Sequence, residues 1–108
     1  MSIFDKIFGG HAVAKTPDAI PQNAVWVDCR APEEYQGGHL DEAINIPHSD
    51  MTIRHNELDV DKDHPLYLYC GGGKRAEMAK QCLEAEGYTH VINVGGLKDA
   101  IKCCDKND

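Results

Sequence analysis

The sequence has no surplus of positive charge. Eleven Lys and Arg face eighteen Asp and Glu, which leaves a formal net charge of −7 and a pI near 5.2. The basic stripe that a general nucleic-acid surface needs is therefore missing. No stretch approaches the roughly 20 apolar residues of a membrane helix. The segment from Met1 to His11 lacks the basic start, apolar run and small-residue cleavage site of a targeting leader. These absences lead us to expect a soluble cytoplasmic protein that engages neither nucleic acid nor membrane. Five cysteines are present, Cys29, Cys70, Cys82, Cys103 and Cys104, but no C-x-x-C pair. The spacing of a structural zinc site or thioredoxin-like motif is thus lacking, and an odd count is a poor disulfide framework. Reduced thiols, no metal and no organic cofactor are the expectation. No internal repeat, low-complexity tract or linker interrupts the chain.

What is present suits one globular unit. The 108 residues suffice for one domain but not two. A composition of 42% hydrophobic and 27% charged residues predicts a packed core. We take residues 1–108 as a single domain with its core at about 20–102. Four short apolar runs read as strands: Ala24 to Asp28, Ala43 to Ile46, Leu66 to Tyr69, and Val91 to Val94. Pro32 suits the first position of a short helix through Glu33, Glu34 and Tyr35, ended by Gly37-Gly38. Ser2 suits the cap of another, carrying Ile3, Phe4, Ile7 and Phe8. A helix is read over Met51 to Leu58, and the clearest one over Lys74 to Glu86. In that one, Met78, Ala79, Cys82 and Leu83 share an apolar face and Gly87 occupies the C-terminal cap. A terminal helix starts at Leu97, and the polar tail is expected to fray from Cys103. Strands alternating with helices predict an α/β fold, a mostly parallel sheet flanked by helices.

The distinctive chemistry converges on Tyr69-Cys70-Gly71-Gly72-Gly73-Lys74-Arg75. This segment joins a strand to a helix at the carboxyl end of the strand, where open parallel sheets place ligands. Three glycines in a row cost up to about 1 kcal/mol each relative to alanine in regular structure. Their use is a backbone that curls with its N–H groups inward, a nest for an anion, to which the next helix adds its positive end. Lys74 and Arg75 oppose that helix dipole, a local conflict that a bound anion would remove. Every one of these groups favours negative charge on the sulfur of Cys70, which makes it a nucleophile rather than a buried filler.

Several motifs in order resemble the rhodanese family. They are Val27-Asp28-Cys29-Arg30-Ala31-Pro32-Glu33-Glu34-Tyr35, Gly38-His39-Leu40, Ala43-Ile44-Asn45-Ile46-Pro47, the Cys70 to Arg75 loop, Gly87-Tyr88 and Gly95-Gly96-Leu97. The resemblance runs from about Val25 to Asp99 and is greatest to the small one-domain, phage-shock-type rhodaneses. It implies a rhodanese-like domain with thiosulfate sulfurtransferase activity. Cys70 would take the outer sulfur of thiosulfate, release sulfite and hold a persulfide. Gly71, Gly72 and Gly73 would supply amides, and Lys74 and Arg75 would help hold the anionic donor. Cyanide or a cellular thiol, on a small molecule or a protein, would accept the sulfur. A monomer is expected. The alternative is a persulfide carrier or redox-sensing module fed by another protein, without thiosulfate turnover. Three positions depart from the family's pattern. Ala76 stands for a common serine, Glu42 for glycine and Ala100 for tryptophan, which bears on substrate preference.

Loop length separates the nearest rivals. Phosphatases and arsenate reductases use C-x5-R, whereas Cys70 to Arg75 is C-x4-R and Ala76 holds the place of the later arginine. A nucleotide P-loop fails too, because Gly73-Lys74 is followed by Arg75 rather than Ser or Thr. Among supporting residues, Asp28 and Arg30 read as an ion pair serving structure, with Arg30 near the pocket rim. His39 reads as a hydrogen-bonded structural histidine and Cys29 as a small apolar filler. Cys82 reads as core, and the Cys103-Cys104 pair is given no role.

Overall fold

Short β-rich runs bounded by proline and glycine become strands, and the segments between them become helices. The computed structural model of the protein describes residues 20–106. Strands β1 (Val25–Asp28), β2 (Ile44–Asn45), β3 (Leu66–Cys70) and β4 (Val91–Gly96) form one sheet in the order β2-β1-β3-β4. Every neighbouring pair is parallel. Parallel neighbours require crossovers, and these contain α1 (Pro32–Gln36), α2 (Met51–Arg54) and α3 (Lys74–Ala85). Helix α4 (Leu97–Lys106) follows β4. The arrangement is the single α/β domain that the alternating patterns imply. No described helix is long and apolar enough to cross a membrane.

Side chains alternate across the strands and so feed two cores. Val27, Leu66 and Leu68 pack with Met51, Ala79 and Leu83 on one face of the sheet. Trp26, Tyr67 and Tyr69 pack with Val94, Ala100 and Cys103 on the other. All five residues of β3 are buried, as a central strand covered on both faces requires.

Four local readings are corrected. Helix α3 buries Ala76, Ala79 and Leu83, whereas Met78 is 49% exposed. Small alanines let the helix approach the sheet, which rotates the buried stripe away from Met78. Cys82 is only partly buried, at the core's edge, where the Thr52 hydroxyl donates to its Sγ at 3.5 Å. The helix expected over Met51 to Leu58 is two short pieces, α2 and a 3-10 turn at His55–Leu58, with a further 3-10 turn at His48–Asp50 ahead of them. Met51, His55 and Leu58, at the i, i+4, i+7 spacing of one helical face, are the buried residues of these two pieces. Gly95 and Gly96 complete β4 instead of following it. The tail does not fray at Cys103. Helix α4 continues to Lys106, and Cys103 is buried because Leu97, Ala100 and Cys103 recur at helical spacing against the sheet. The helix expected near Ile3 to Phe8 lies outside the described residues.

Candidate functional site

Sheet order sets the position of the site. The chain leaves β1 to form β2 on one side and returns to form β3 on the other. The carboxyl ends of β1 and β3 therefore flank a topological switch point, where parallel sheets open a crevice. β3 delivers Cys70 to that point and β1 delivers Asp28. Cys70 is 1% exposed, at the floor of the loop. The backbone N–H of Gly73 donates to its Sγ at 2.9 Å, and that of Ala76 at 3.4 Å. Gly73 has φ 108°, a left-handed conformation that turns the loop into the first residue of α3. The alanine at position 76 takes part through its backbone, so the missing hydroxyl leaves this contact intact.

The two cations of the loop have different surroundings. Lys74 is exposed and makes no ion pair among the described residues. It borders a cavity of about 340 Å³ together with Glu77, Asn93 and Asp99. The Arg75 guanidinium lies across the loop, close enough to Gly71 that a Cβ there would stand 3.0 Å from its Nη2. Arg75 Nη1 donates to Glu34 Oε1 at 2.7 Å and Nη2 to Glu34 Oε2 at 3.3 Å. This pair holds the Glu34 carboxyl down at about 2, helped by the Ala31 N–H that donates to it. The same bond to Glu34 raises Arg75, and charge on Cys70 adds to that rise. A second cleft of about 250 Å³ opens beside Arg75, walled by Pro32, Pro47, His48 and Asp50.

Asn93 and Asp99, to which the sequence reading gives no role, hold the loop in place together with Gly95 and Gly96. Asn93 Nδ2 donates to the Gly73 carbonyl at 3.0 Å and to Glu77 Oε1 at 3.0 Å, while its Oδ1 accepts from the Gly95 N–H at 2.9 Å. Gly95 adopts φ 109°, and a Cβ there would meet the Asp99 carboxylate. Asp99 Oδ2 accepts from the Gly96 N–H at 2.8 Å, which caps the start of α4. A Cβ on Gly96 would collide with the Gly71 carbonyl oxygen. β4 thus lies directly against the Cys70 loop. A lone asparagine within an apolar run, followed by paired glycines and an acid three residues later, is the signal that marks this support.

Asp28 and Arg30 form a buried ion pair beneath the site. Arg30 Nη2 donates to Asp28 Oδ2 at 2.8 Å, and Arg30 Nε to Oδ1 at 3.0 Å. Arg30 Nη2 also donates to the Gly38 carbonyl at 2.7 Å, which fixes the turn after α1. Asn45 Nδ2 ties the carbonyls of Asp28 and Arg30 to β2. His39 stacks on Tyr35 with ring centroids 3.6 Å apart and donates from Nδ1 to the Tyr35 carbonyl. Cys29 is wholly buried, and burial pushes its thiol up, with negative charge on Cys70 and Asp28 adding to the rise. It therefore stays a neutral thiol beside the loop. Among the described residues no cluster of metal-ligating groups occurs.

Known proteins share this arrangement. The rhodanese-like domain family matches residues 13–102. The thiosulfate sulfurtransferase PspE of Escherichia coli is 45% identical over 74 residues, covering 68% of this chain and 71% of its own. The putative sulfur carrier protein YrkF of Bacillus subtilis is 35% identical over 68% of this chain, which spans only 39% of that protein. A tRNA uridine(34) hydroxylase of Erwinia tasmaniensis is 36% identical over 68% of this chain, which spans 22% of it. Among solved structures, a rhodanese with anions from E. coli superposes with a TM-score of 0.67 at 43% identity, covering 70% of this chain and 89% of that one. A cysteine at the end of a central parallel strand, the loop that encloses it and the match along residues 13–102 lead to one assignment: the chain belongs to the rhodanese-like domain family.

Proposed function

We propose that the protein is a thiosulfate sulfurtransferase in which Cys70 carries the transferred sulfur as a persulfide. The observation that carries this reading is the pair of N–H groups, from Gly73 and Ala76, aimed at Cys70 Sγ from within a loop flanked by two cations. Donors fixed around one sulfur stabilise negative charge there without reorganising during the reaction. In the first half-reaction the Cys70 thiolate attacks the outer sulfur of thiosulfate. A new S–S bond forms, the bond to the sulfonyl sulfur breaks, and its electron pair leaves with sulfite. In the second half, cyanide or an acceptor thiolate attacks the outer sulfur of the persulfide, and the electron pair returns to Cys70 as thiolate. No step needs a metal or an organic cofactor. The loop amides of Gly71, Gly72 and Gly73 hold the persulfide, and Lys74 and Arg75 face the donor. Asp28 and Arg30 keep the floor of the site in shape.

Cys29, Cys70 and Cys82 carry no disulfide, which suits a reducing compartment such as the cytoplasm. The domain acts as a monomer in this reading, and a protein thiol is a further acceptor class. Intact-protein mass spectrometry after thiosulfate treatment tests it. An adduct of about 32 Da on the wild type, absent in Cys70→Ser and released by cyanide as thiocyanate, is the expected result. No adduct from thiosulfate refutes donor use and leaves the carrier reading, in which another protein loads Cys70. An adduct that persists in Cys70→Ser refutes the site.

A further inference from the structure

Neither approach to the Cys70 loop carries a net positive charge. On one side Arg75 is the only lysine or arginine bordering its cleft among the described residues, and Asp50 on the same wall is paired with Arg54 at 3.6 Å. Arg75 is already engaged, through two bonds, by the Glu34 carboxylate. On the other side Lys74 shares its cavity with Glu77 and Asp99. A carboxylate at 2.7 Å from a guanidinium cancels most of its field a few ångströms out, so little net attraction for an incoming dianion is left. Glu34 belongs to the short helix opened by Pro32, and its other bond goes to the Ala31 N–H at 3.0 Å. The carboxylate is thus held from both sides, by the loop arginine it neutralises and by its own backbone.

We propose that Glu34 is a specificity-determining residue that weakens the site's preference for doubly charged thiosulfate and so admits singly charged sulfur donors beside it. This rests on the sulfurtransferase reading above and widens the donor class that site takes. Alkyl thiosulfonates isolate the effect, because a methyl group replaces one charged oxygen while the same S–S bond is broken. With methanethiosulfonate, the Cys70 thiolate forms the S–S bond of the persulfide and methanesulfinate leaves with the electron pair, so the charge of the two sides balances. Glu34→Gln removes the charge while an amide oxygen remains to accept from Arg75 and Ala31. Glu34→Asp keeps the charge.

The experiment compares kcat/KM for thiosulfate and methanethiosulfonate in the wild type and both variants, with thiocyanate or sulfinate release as the readout. Glu34→Gln is expected to raise the thiosulfate-to-thiosulfonate ratio by about three- to fivefold, the scale of one partly exposed charge. The change should sit in KM for thiosulfate and shrink when salt is raised to about 0.5 M, where exposed charges are screened. Glu34→Asp should hold the wild-type ratio. An unchanged ratio in Glu34→Gln, or an equal fall with both donors, overturns the inference while leaving sulfur transfer intact. A wild type that forms a persulfide from neither donor overturns the donor reading itself, and this inference with it.

Discussion

Replacing Gly96 by alanine puts a methyl group into the space that β4 and the active loop share. The new Cβ would stand 3.1 Å from the Gly71 carbonyl carbon, 3.5 Å from Gly72 Cα, and in collision with the Gly71 carbonyl oxygen. All three neighbours are backbone, so no side chain can rotate away and the loop itself must move. Forcing one methylene into a packed site costs about 1–3 kcal/mol. The catalytic cost should be larger, because Gly71 directly follows Cys70, the nucleophile proposed above. A displacement of about 1 Å in reacting groups lowers rate about 100-fold. Gly87→Ala is the matched control. Its φ of 102° imposes backbone strain, but its nearest neighbour is Lys62 Cδ at 3.9 Å, far from the loop. We expect Gly87→Ala to lose about 1 kcal/mol of stability and to keep its turnover. Urea denaturation gives the stabilities, and thiocyanate release the turnover. If Gly96→Ala keeps turnover within about twofold of wild type, the reasoning that β4 positions the loop is refuted. It is equally refuted if Gly87→Ala loses as much activity as Gly96→Ala.

Three further outcomes follow from the same contacts. Asp28→Asn leaves the buried Arg30 charge without its counterion and should cost about 3–5 kcal/mol in urea denaturation, while Asp28→Leu with Arg30→Met should recover much of that loss. Asn93→Ala removes the amide that joins Gly73, Glu77 and Gly95, and a loss of about 1–3 kcal/mol with roughly tenfold lower turnover is expected. Glu34 has a carboxyl held well below its ordinary range, so its ion pair with Arg75 contributes fully above the unfolded carboxylate value. That contribution is lost as pH falls through about 2. A carbon-detected NMR titration that finds Glu34 half-protonated near 4.5 would contradict the pairing.

Much of the fold was legible because period and punctuation agreed. Leu66 to Tyr69 is a continuous apolar run after a proline, and it becomes the fully buried central strand. Lys74 to Ala85 ends at its predicted glycine region. The errors arise where neighbours outside the segment decide the outcome. Met78 and Ala79 look equally apolar in sequence, but only the alanine side of α3 permits close approach to the sheet. Cys103 sits among lysines and aspartates in sequence, yet Leu97 and Ala100 carry it onto the face that Trp26 and Tyr67 leave open. The segment Met51 to Leu58 keeps the buried face that its spacing predicts, but its second half tightens to a 3-10 turn that ends at Asp59 in the left-handed region.

The site divides in the same way. A nucleophile at a strand end, three glycines and two cations form a contiguous signal, and sequence displays contiguous signals well. The parts that hold the loop are separated from it by about a helix and a strand, and their logic is backbone geometry. β3 and β4 pair Leu68 with Asn93 but Tyr69 with Gly95, so one residue, Val94, is passed over in the register. That irregularity brings Gly95 and Gly96 against Gly73 and Gly71, and it turns Asn93 to reach both the loop and the following turn. An apolar pattern with period two cannot announce a skipped residue, because the glycines that accommodate it carry no side chain to break the pattern. Glu34 escapes notice for a different reason. In sequence it is one acid of a charged helix start, where acids are ordinary, and only the fold brings Arg75 within 2.7 Å of it. The proposed nucleophile and its loop can therefore be read from seven consecutive residues, whereas the charge around the loop depends on a carboxylate 41 positions away from its arginine.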